Sequence, residues 1–212
     1  MTLMSSLKYS KKQSSMPRFK ANYFAFTCLL CAALMSMWPM RTLIINNMFW
    51  HMDFQMPLLI LAGASFKYFY KSFPQIFFKA NLFGLTSFFI AQTILAYWML
   101  PLSVDKAIID WRYDIAKIVS LVICGYLIKV SFKKATTVIQ IFFLGFFISM
   151  MIGIGFFFLN SENRLCNVYT LNSQVLAGQG LILIAISLAI IWFFLKMKSK
   201  SISDLNSPSN LT

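Results

Sequence analysis

Hydrophobic residues form six long runs along this chain, separated by clusters of lysine, arginine and small polar residues. The runs lie near residues 21–40, 43–66, 76–100, 115–132, 136–159 and 175–195. Each is close to the roughly 20 residues that an α-helix needs to cross a bilayer core of about 30 Å. The runs are continuous and do not alternate with polar positions, which favours helices over barrel strands. The pattern predicts an all-α fold, a polytopic transmembrane helical bundle of about six helices.

The two ends of the chain differ from the runs. Residues 1–20 are rich in lysine and serine, and residues 197–212 in serine, asparagine and proline. Such segments have few apolar side chains to bury, so we predict a disordered basic arm and a disordered tail around a transmembrane domain of residues 21–196. The first run could instead be a secretory signal, but no small-x-small cleavage site follows it.

Composition and charge support a membrane location. Hydrophobic residues make up 59% of the 212 positions and charged residues 12%, whereas soluble domains are about half apolar and a quarter charged. The net charge of +13 does not indicate nucleic acid, because the basic residues lie between the runs and form no single patch. Fourteen of the 19 lysines and arginines precede run one, follow run six, or lie in or within four residues of the connections between runs two and three and between runs four and five. This distribution predicts that both termini are cytoplasmic.

The four cysteines do not form a disulfide framework. Cys28, Cys31 and Cys124 lie in apolar runs, and only Cys166 lies in a connecting loop. A redox or metal role for Cys166 would require a second protein, and otherwise it is an unpaired loop cysteine.

The most informative polar residues begin the second run. His51 is the only histidine, and it shares a helix face with Asn47 and Gln55 at a spacing of four residues. Asp53 points about 200° away from His51, at about 100° per residue. An ionisable group inside a span is costly, so these residues are a functional hypothesis by default.

Methionines concentrate around this stretch. Met48, Met52 and Met56 surround His51 in the sequence. Thioether groups are soft ligands that suit Cu(I), so His51 with these methionines is a candidate metal site. The alternative is that methionine only fills contacts between helices.

Polar side chains also occur in later runs. Lys117 shares a helix face with Asp114, and it could pair with Asp114, extend to the membrane interface or neutralise Asp53 from a neighbouring helix. Gln174 and Gln179 open the last run, where amides either bond between helices or line a polar outer cavity. The sequence contains no paired-histidine helix, no Gly-x-Ser-x-Gly, no phosphate-binding glycine loop and no haem-attachment motif, so we predict no enzymatic activity.

Residues 51–59, HMDFQMPLL, resemble the CtaG-like family of bacterial cytochrome c oxidase assembly membrane proteins, in which a helix typically carries His-Met-x-x-His-Met. A weaker similarity lies at residues 172–180. The resemblance implies copper delivery to a terminal oxidase, with His51 as a ligand and oxidase subunits or copper chaperones as partners. The chain departs from the pattern at Gln55, where the family has its second histidine, and glutamine is a poor ligand for soft copper.

Three functional hypotheses follow from the sequence. The first is an accessory protein that presents His51 and the nearby methionines to Cu(I) for oxidase assembly. The second is a small transporter-like bundle in which Asp53, Lys117, Gln92 and Gln179 line a polar path. The third is a structural subunit of a membrane complex, in which polar residues only hold helices together.

Overall fold

The computed structural model describes residues 18–37, 40, 47–65 and 81–205. All regular structure in these ranges is helical, which confirms the all-α prediction. The α-helices are α1 (Arg18–Ser36), α2 (Met56–Ser65), α3 (Leu85–Trp98), α4 (Pro101–Ile109), α5 (Trp111–Lys134), α6 (Thr137–Asn160) and α7 (Leu171–Leu205). A π-helical segment, Trp50–Gln55, leads directly into α2, and a 3₁₀ turn, Leu82–Gly84, leads into α3.

Three described helices are long and apolar enough to cross a membrane, namely α5, α6 and the Leu171–Lys198 part of α7. The bent pair of α3 and α4 adds a fourth if the two count as one span. The chain is therefore a membrane protein, although this number is smaller than the six helices predicted. The first three predicted spans include residues 38, 39, 43–46, 66 and 76–80, which lie outside the described ranges.

The fourth and fifth predicted helices agree closely with α5 and α6. The predicted range 115–132 lies within Trp111–Lys134, and 136–159 almost coincides with Thr137–Asn160. The Asp110 side chain caps α5 by accepting the backbone N–H of Arg112 at 2.9 Å. Lys133 and Lys134 lie in the last turn of α5, where positive charge favours the helix C-terminus.

The third predicted helix, 76–100, ends at Trp98 instead, and the chain then bends by 72° into α4. Pro101 starts α4 after an extended Leu100, because proline has no N–H and suits the first helical position. The six predicted helices do not include α4. Its buried residues include Val104 and Ala107, and the helix packs against α5.

The last predicted helix, 175–195, is shorter than the observed α7, which runs from Leu171 to Leu205. The first part of the tail predicted as disordered, 197–212, is therefore helical. Lysine and serine end the apolar run but do not break a helix, and the first proline comes only at Pro208. Residues 206–212 and residues 1–17 of the predicted arm lie outside the described ranges.

The backbones of α2 and α5 approach each other closely at two glycines. A Cβ atom on Gly63 would meet the carbonyl oxygen of Val122, and one on Gly125 would meet the carbonyl oxygen of Ile60. Small residues permit this kind of helix packing in membranes. The crossing fixes α2 on α5, and it thereby places the π-helical segment near the N-terminal turns of α5.

Candidate functional site

The π-helical segment contains three of the polar residues that the sequence singles out, His51, Asp53 and Gln55. Its buried residues are His51, Met52, Asp53 and Gln55. Short π-helical segments are rare, and they occur frequently at functional sites. The segment also contacts α7. It thus presents polar groups to more than one neighbouring helix.

Lys117 of α5 lies at the centre of a buried polar network. Its side chain is 1% exposed, and Nζ lies 2.6 Å from Asp114 Oδ1. Nζ also donates to Gln55 Oε1 at 3.0 Å and lies 2.9 Å from His51 Nε2. The predicted pairing of Lys117 with Asp114 is confirmed, and His51 and Gln55 do share a face.

The network continues from His51 to the loop between α6 and α7. His51 Nδ1 lies 2.7 Å from the hydroxyl oxygen of Tyr169. Gln55 Nε2 donates to the carbonyl oxygen of Ala32 in α1 at 3.2 Å. The network thereby connects α1, the π-helical segment, α5 and the loop.

Hydrogen bonds from backbone N–H groups to side chains of α4 and α7 hold the loop of residues 161–170 in place. The N–H of Asn167 donates to Asp105 Oδ2 of α4 at 2.9 Å, and the N–H of Leu165 donates to Gln174 Oε1 at 2.9 Å. Gln174 also donates to the carbonyl oxygen of Phe158 at 3.2 Å, so this buried amide joins α6, the loop and α7. These contacts fit the first of the two roles predicted for Gln174, hydrogen bonding between helices, and not the lining of a polar outer cavity.

Two ionisable side chains of this loop are held in their neutral forms. Burial, followed by the nearby Cys166, Asp105 and Asp114, raises the pKa of the Tyr169 phenol above its ordinary value. Burial, followed by Asp105, raises the pKa of the Cys166 thiol to about 12. Tyr169 therefore faces His51 as a neutral phenol, and Cys166 is a buried thiol, not a reactive thiolate.

Asp53 is buried, with its side chain 7% exposed. Within the part of the chain that the structure describes, neither carboxylate oxygen has a hydrogen-bond partner. It faces Gly180 of α7, where a Cβ atom would collide with Asp53 Oδ2 and lie 3.0 Å from the ring of Phe49. The carboxylate thus faces a different neighbour from His51, as the spacing predicts, and Lys117 does not hydrogen-bond to it.

The candidate copper ligands are all buried, with Met48 0%, Met52 3% and Met56 6% exposed. Both ring nitrogens of His51, however, already have partners in Tyr169 and Lys117. The described residues contain no group of three or more His, Cys, Asp or Glu side chains that could hold a metal ion. Copper binding through His51 and methionine sulfur stays a prediction, and it would require His51 to leave one of its partners.

The other predicted polar residues are more dispersed. Gln179 is exposed on α7. Gln92 of α3 is partly buried and donates to the sulfur of Met150 at 3.8 Å, a weak contact with α6. Asn47 accepts the N–H of Phe49 at 3.1 Å, which caps the short helical stretch of Met48 and Phe49 before the π-helical segment. The transporter hypothesis places four residues along a polar path. Of these four, Asp53 and Lys117 are the buried ones.

Sequence reasoning missed Tyr169. It lies in a loop, and its partner His51 is 118 positions away. Helical periodicity relates residues that are three or four positions apart, so it has no means of pairing these two.

Comparisons of the chain with protein-family models, with curated proteins and with solved structures find no match. The likeness to the CtaG-like family therefore remains a resemblance of two short segments. The buried polar residues are the features from which a function can be inferred.

Proposed function

We propose that this chain is a transporter-like helical bundle of the bacterial cytoplasmic membrane, and that Asp53 is the carboxylate that binds and releases a small cation. The observation that carries the proposal is that this buried side chain has no hydrogen-bond partner among the described residues. A lone ionised carboxylate in a low-dielectric interior costs several kcal/mol or more. A cation that binds at Asp53 would offset that cost.

Lys117 does not hydrogen-bond to Asp53, so the Asp53 carboxylate is available for a cation. The positive charge of Lys117 is balanced by Asp114, 2.6 Å away. Gly180 lets the Asp53 carboxylate lie directly against α7. A small movement between the π-helical segment and α7 would therefore alter access to the carboxylate without breaking the Lys117 contacts.

The proposal includes six spans with both termini in the cytoplasm. The distribution of basic residues supports this orientation, since the connections assigned to the cytoplasm hold fourteen of the 19 lysines and arginines. Five of the six acidic residues, Asp53, Asp105, Asp110, Asp114 and Glu162, then lie on or towards the outer side. The loop of residues 161–170 would cover the bundle on that side.

Flux into liposomes tests the cation proposal. The purified protein is reconstituted with internal dyes for H⁺, Na⁺ or K⁺, and a membrane potential is imposed. We expect flux of at least one cation with the wild type, and flux at the level of empty liposomes with Asp53→Asn. Glu162→Gln, a change of an exposed acid in the outer loop, is the matched control and should behave as wild type. Absence of flux from the wild type would refute transport.

Copper handling for a terminal oxidase is the second candidate, with oxidase subunits or copper chaperones as partners. The observation in its favour is that Met48, Met52 and Met56 are all buried around the only histidine. Cu(I) suits thioether sulfur and imidazole nitrogen. A bound Cu(I) would have to replace Lys117 or Tyr169 at the His51 ring.

Anaerobic loading with Cu(I) distinguishes the two candidates. Near-stoichiometric copper that is lost in His51→Ala, and in the variant with the three methionines replaced by leucine, would support copper handling. Copper no higher than in an unrelated membrane protein would refute it. If neither flux nor copper is found, the third hypothesis, a structural subunit, is the one that agrees with the closed network around Lys117.

A further inference from the structure

Three acceptor atoms of described residues lie within 3.0 Å of the ammonium nitrogen of Lys117. They are Asp114 Oδ1 at 2.6 Å, His51 Nε2 at 2.9 Å and Gln55 Oε1 at 3.0 Å. Two come from the π-helical segment and one from α5 itself. All three acceptors belong to side chains at most 15% exposed. The group is therefore bound on several sides and is largely shielded from water.

The number of acceptors matches a charged amine. A protonated lysine has three N–H donors and no lone pair. Lys117 can thus donate to all three atoms, provided that His51 Nε2 carries its lone pair. His51 must then have its proton on Nδ1, from which it donates to the Tyr169 hydroxyl 2.7 Å away. The opposite tautomer would place an N–H against the ammonium group.

We propose that Asp114, His51 and Gln55 form a binding site for a primary ammonium ion, and that the chain fills this site permanently with its own lysine. The carboxylate supplies the countercharge, and the other two acceptors orient the remaining N–H bonds. The chemistry selects a cation with three N–H donors and a single alkyl arm. A quaternary ammonium ion has no donor, and an alkali cation prefers more oxygen ligands than the two present here.

This site is distinct from the cation site proposed at Asp53. Lys117 does not hydrogen-bond to Asp53, and Asp53 faces α7. The inference therefore stands or falls independently of transport. It also gives Lys117 a definite role, because an ammonium group covalently attached to α5 joins this helix to the π-helical segment through His51 and Gln55.

Chemical rescue of a truncated lysine tests the proposal. Thermal unfolding of detergent-solubilised Lys117→Ala is measured in ethylammonium, tetramethylammonium and sodium chlorides at equal ionic strength. We expect a Tm below that of the wild type, raised saturably by ethylammonium and not by the other two cations. The wild type should show no preference for ethylammonium, since its own lysine occupies the site.

Three further variants are controls for the rescue. Lys196→Ala removes a half-buried lysine whose hydrogen bond to Thr137 is exposed, and its Tm should not respond specifically to ethylammonium. Lys117→Met fills the space without a donor, so it should be destabilised and should not be rescued. Lys117→Ala combined with Asp114→Asn should also lose the rescue, because the countercharge is gone.

The ammonium-site proposal can also be tested if Lys117→Ala folds poorly. Recovery of monodisperse protein in ethylammonium but not in sodium chloride would support the site. Equal failure in both salts would overturn it. A folded Lys117→Ala protein without a response to ethylammonium, or an equal response from Lys117→Met, would also overturn it.

Discussion

The hydroxyl group of Tyr169 is the contact through which the outer loop reaches the buried network. We expect Tyr169→Phe to reduce the free energy of unfolding by about 1–3 kcal/mol, the usual cost of leaving a buried polar group unsatisfied. The reason is that His51 Nδ1 loses its hydrogen-bond partner, 2.7 Å away, in a buried environment. Unfolding of the purified protein by heat or by SDS measures the change.

Tyr97→Phe provides the control for this prediction, because Tyr97 is 43% exposed on α3. Its stability should remain within about 0.5 kcal/mol of the wild type, as is usual for surface changes. Equal stability of both variants would mean that the Tyr169 hydroxyl does not contribute to the network.

Cys166 should be almost inert towards thiol reagents. The pKa of about 12, compared with an ordinary value of 9.0, lowers the thiolate fraction near neutral pH by about a thousandfold. Burial, with 1% of the residue exposed, slows the reaction further. The measurement is the rate of maleimide labelling in a variant with alanine in place of Cys28, Cys31 and Cys124.

The control for the labelling rate carries its only cysteine at the exposed position of Asn163 in the same loop. Its rate should level off above pH 9, whereas the rate for Cys166 should still be rising there because its folded-state pKa is higher. A matching pH dependence at the two positions would show that Cys166 is accessible and not perturbed.

At the scale of helices, the close crossing of α2 and α5 gives a sharp prediction. Gly125→Ala should destabilise the protein strongly, by about 3 kcal/mol or more, because the added Cβ would meet the backbone carbonyl of Ile60, which cannot move aside. Gly145→Ala is the matched control, since no atom lies within 4 Å of the added Cβ. It should be neutral or slightly stabilising, because alanine favours helices by about 1 kcal/mol over glycine. Comparable losses in both variants would contradict the crossing.

The sequence predicts α5 and α6 well because apolar residues fill both helices and basic or polar residues bound them. The same signal fails at α4, where Asp105, Lys106 and the preceding Pro101 look like a loop although one face of the helix is buried. It also fails at the end of α7, because hydropathy falls at Lys196 while the helix continues. Hydropathy indicates whether a residue lies in lipid or in water, and a helix can continue from one into the other.

The site is predictable only where its residues are neighbours on one helix. Lys117 with Asp114, and His51 with Gln55, follow from helical spacing. The contact between the two pairs depends on how α2 crosses α5. The spacing of residues along one helix cannot predict that crossing. The π-helical conformation of Trp50–Gln55 also has no signature in its residues.

At the scale of the whole molecule, the proposed orientation can be measured with reporter fusions. Alkaline phosphatase inserted between Glu162 and Asn163 should be active, because this loop is assigned to the outer side. Green fluorescent protein fused after Thr212 should fluoresce, because the C-terminus is assigned to the cytoplasm. An inactive phosphatase together with a dark C-terminal fusion would indicate the opposite orientation.

The span of the polar network along the chain has a consequence for biogenesis. A ribosome delivers His51, Lys117 and Tyr169 to the membrane in that order, and the final partner arrives only when most of the chain has been made. Until then, His51 Nδ1 lacks the Tyr169 hydroxyl, although Lys117 can already contact Asp114, His51 and Gln55. A transient partner such as water, a lipid headgroup or the insertion machinery must satisfy this ring nitrogen during the interval. A chain that stalls before residue 169 therefore presents quality-control proteases with an incomplete polar network.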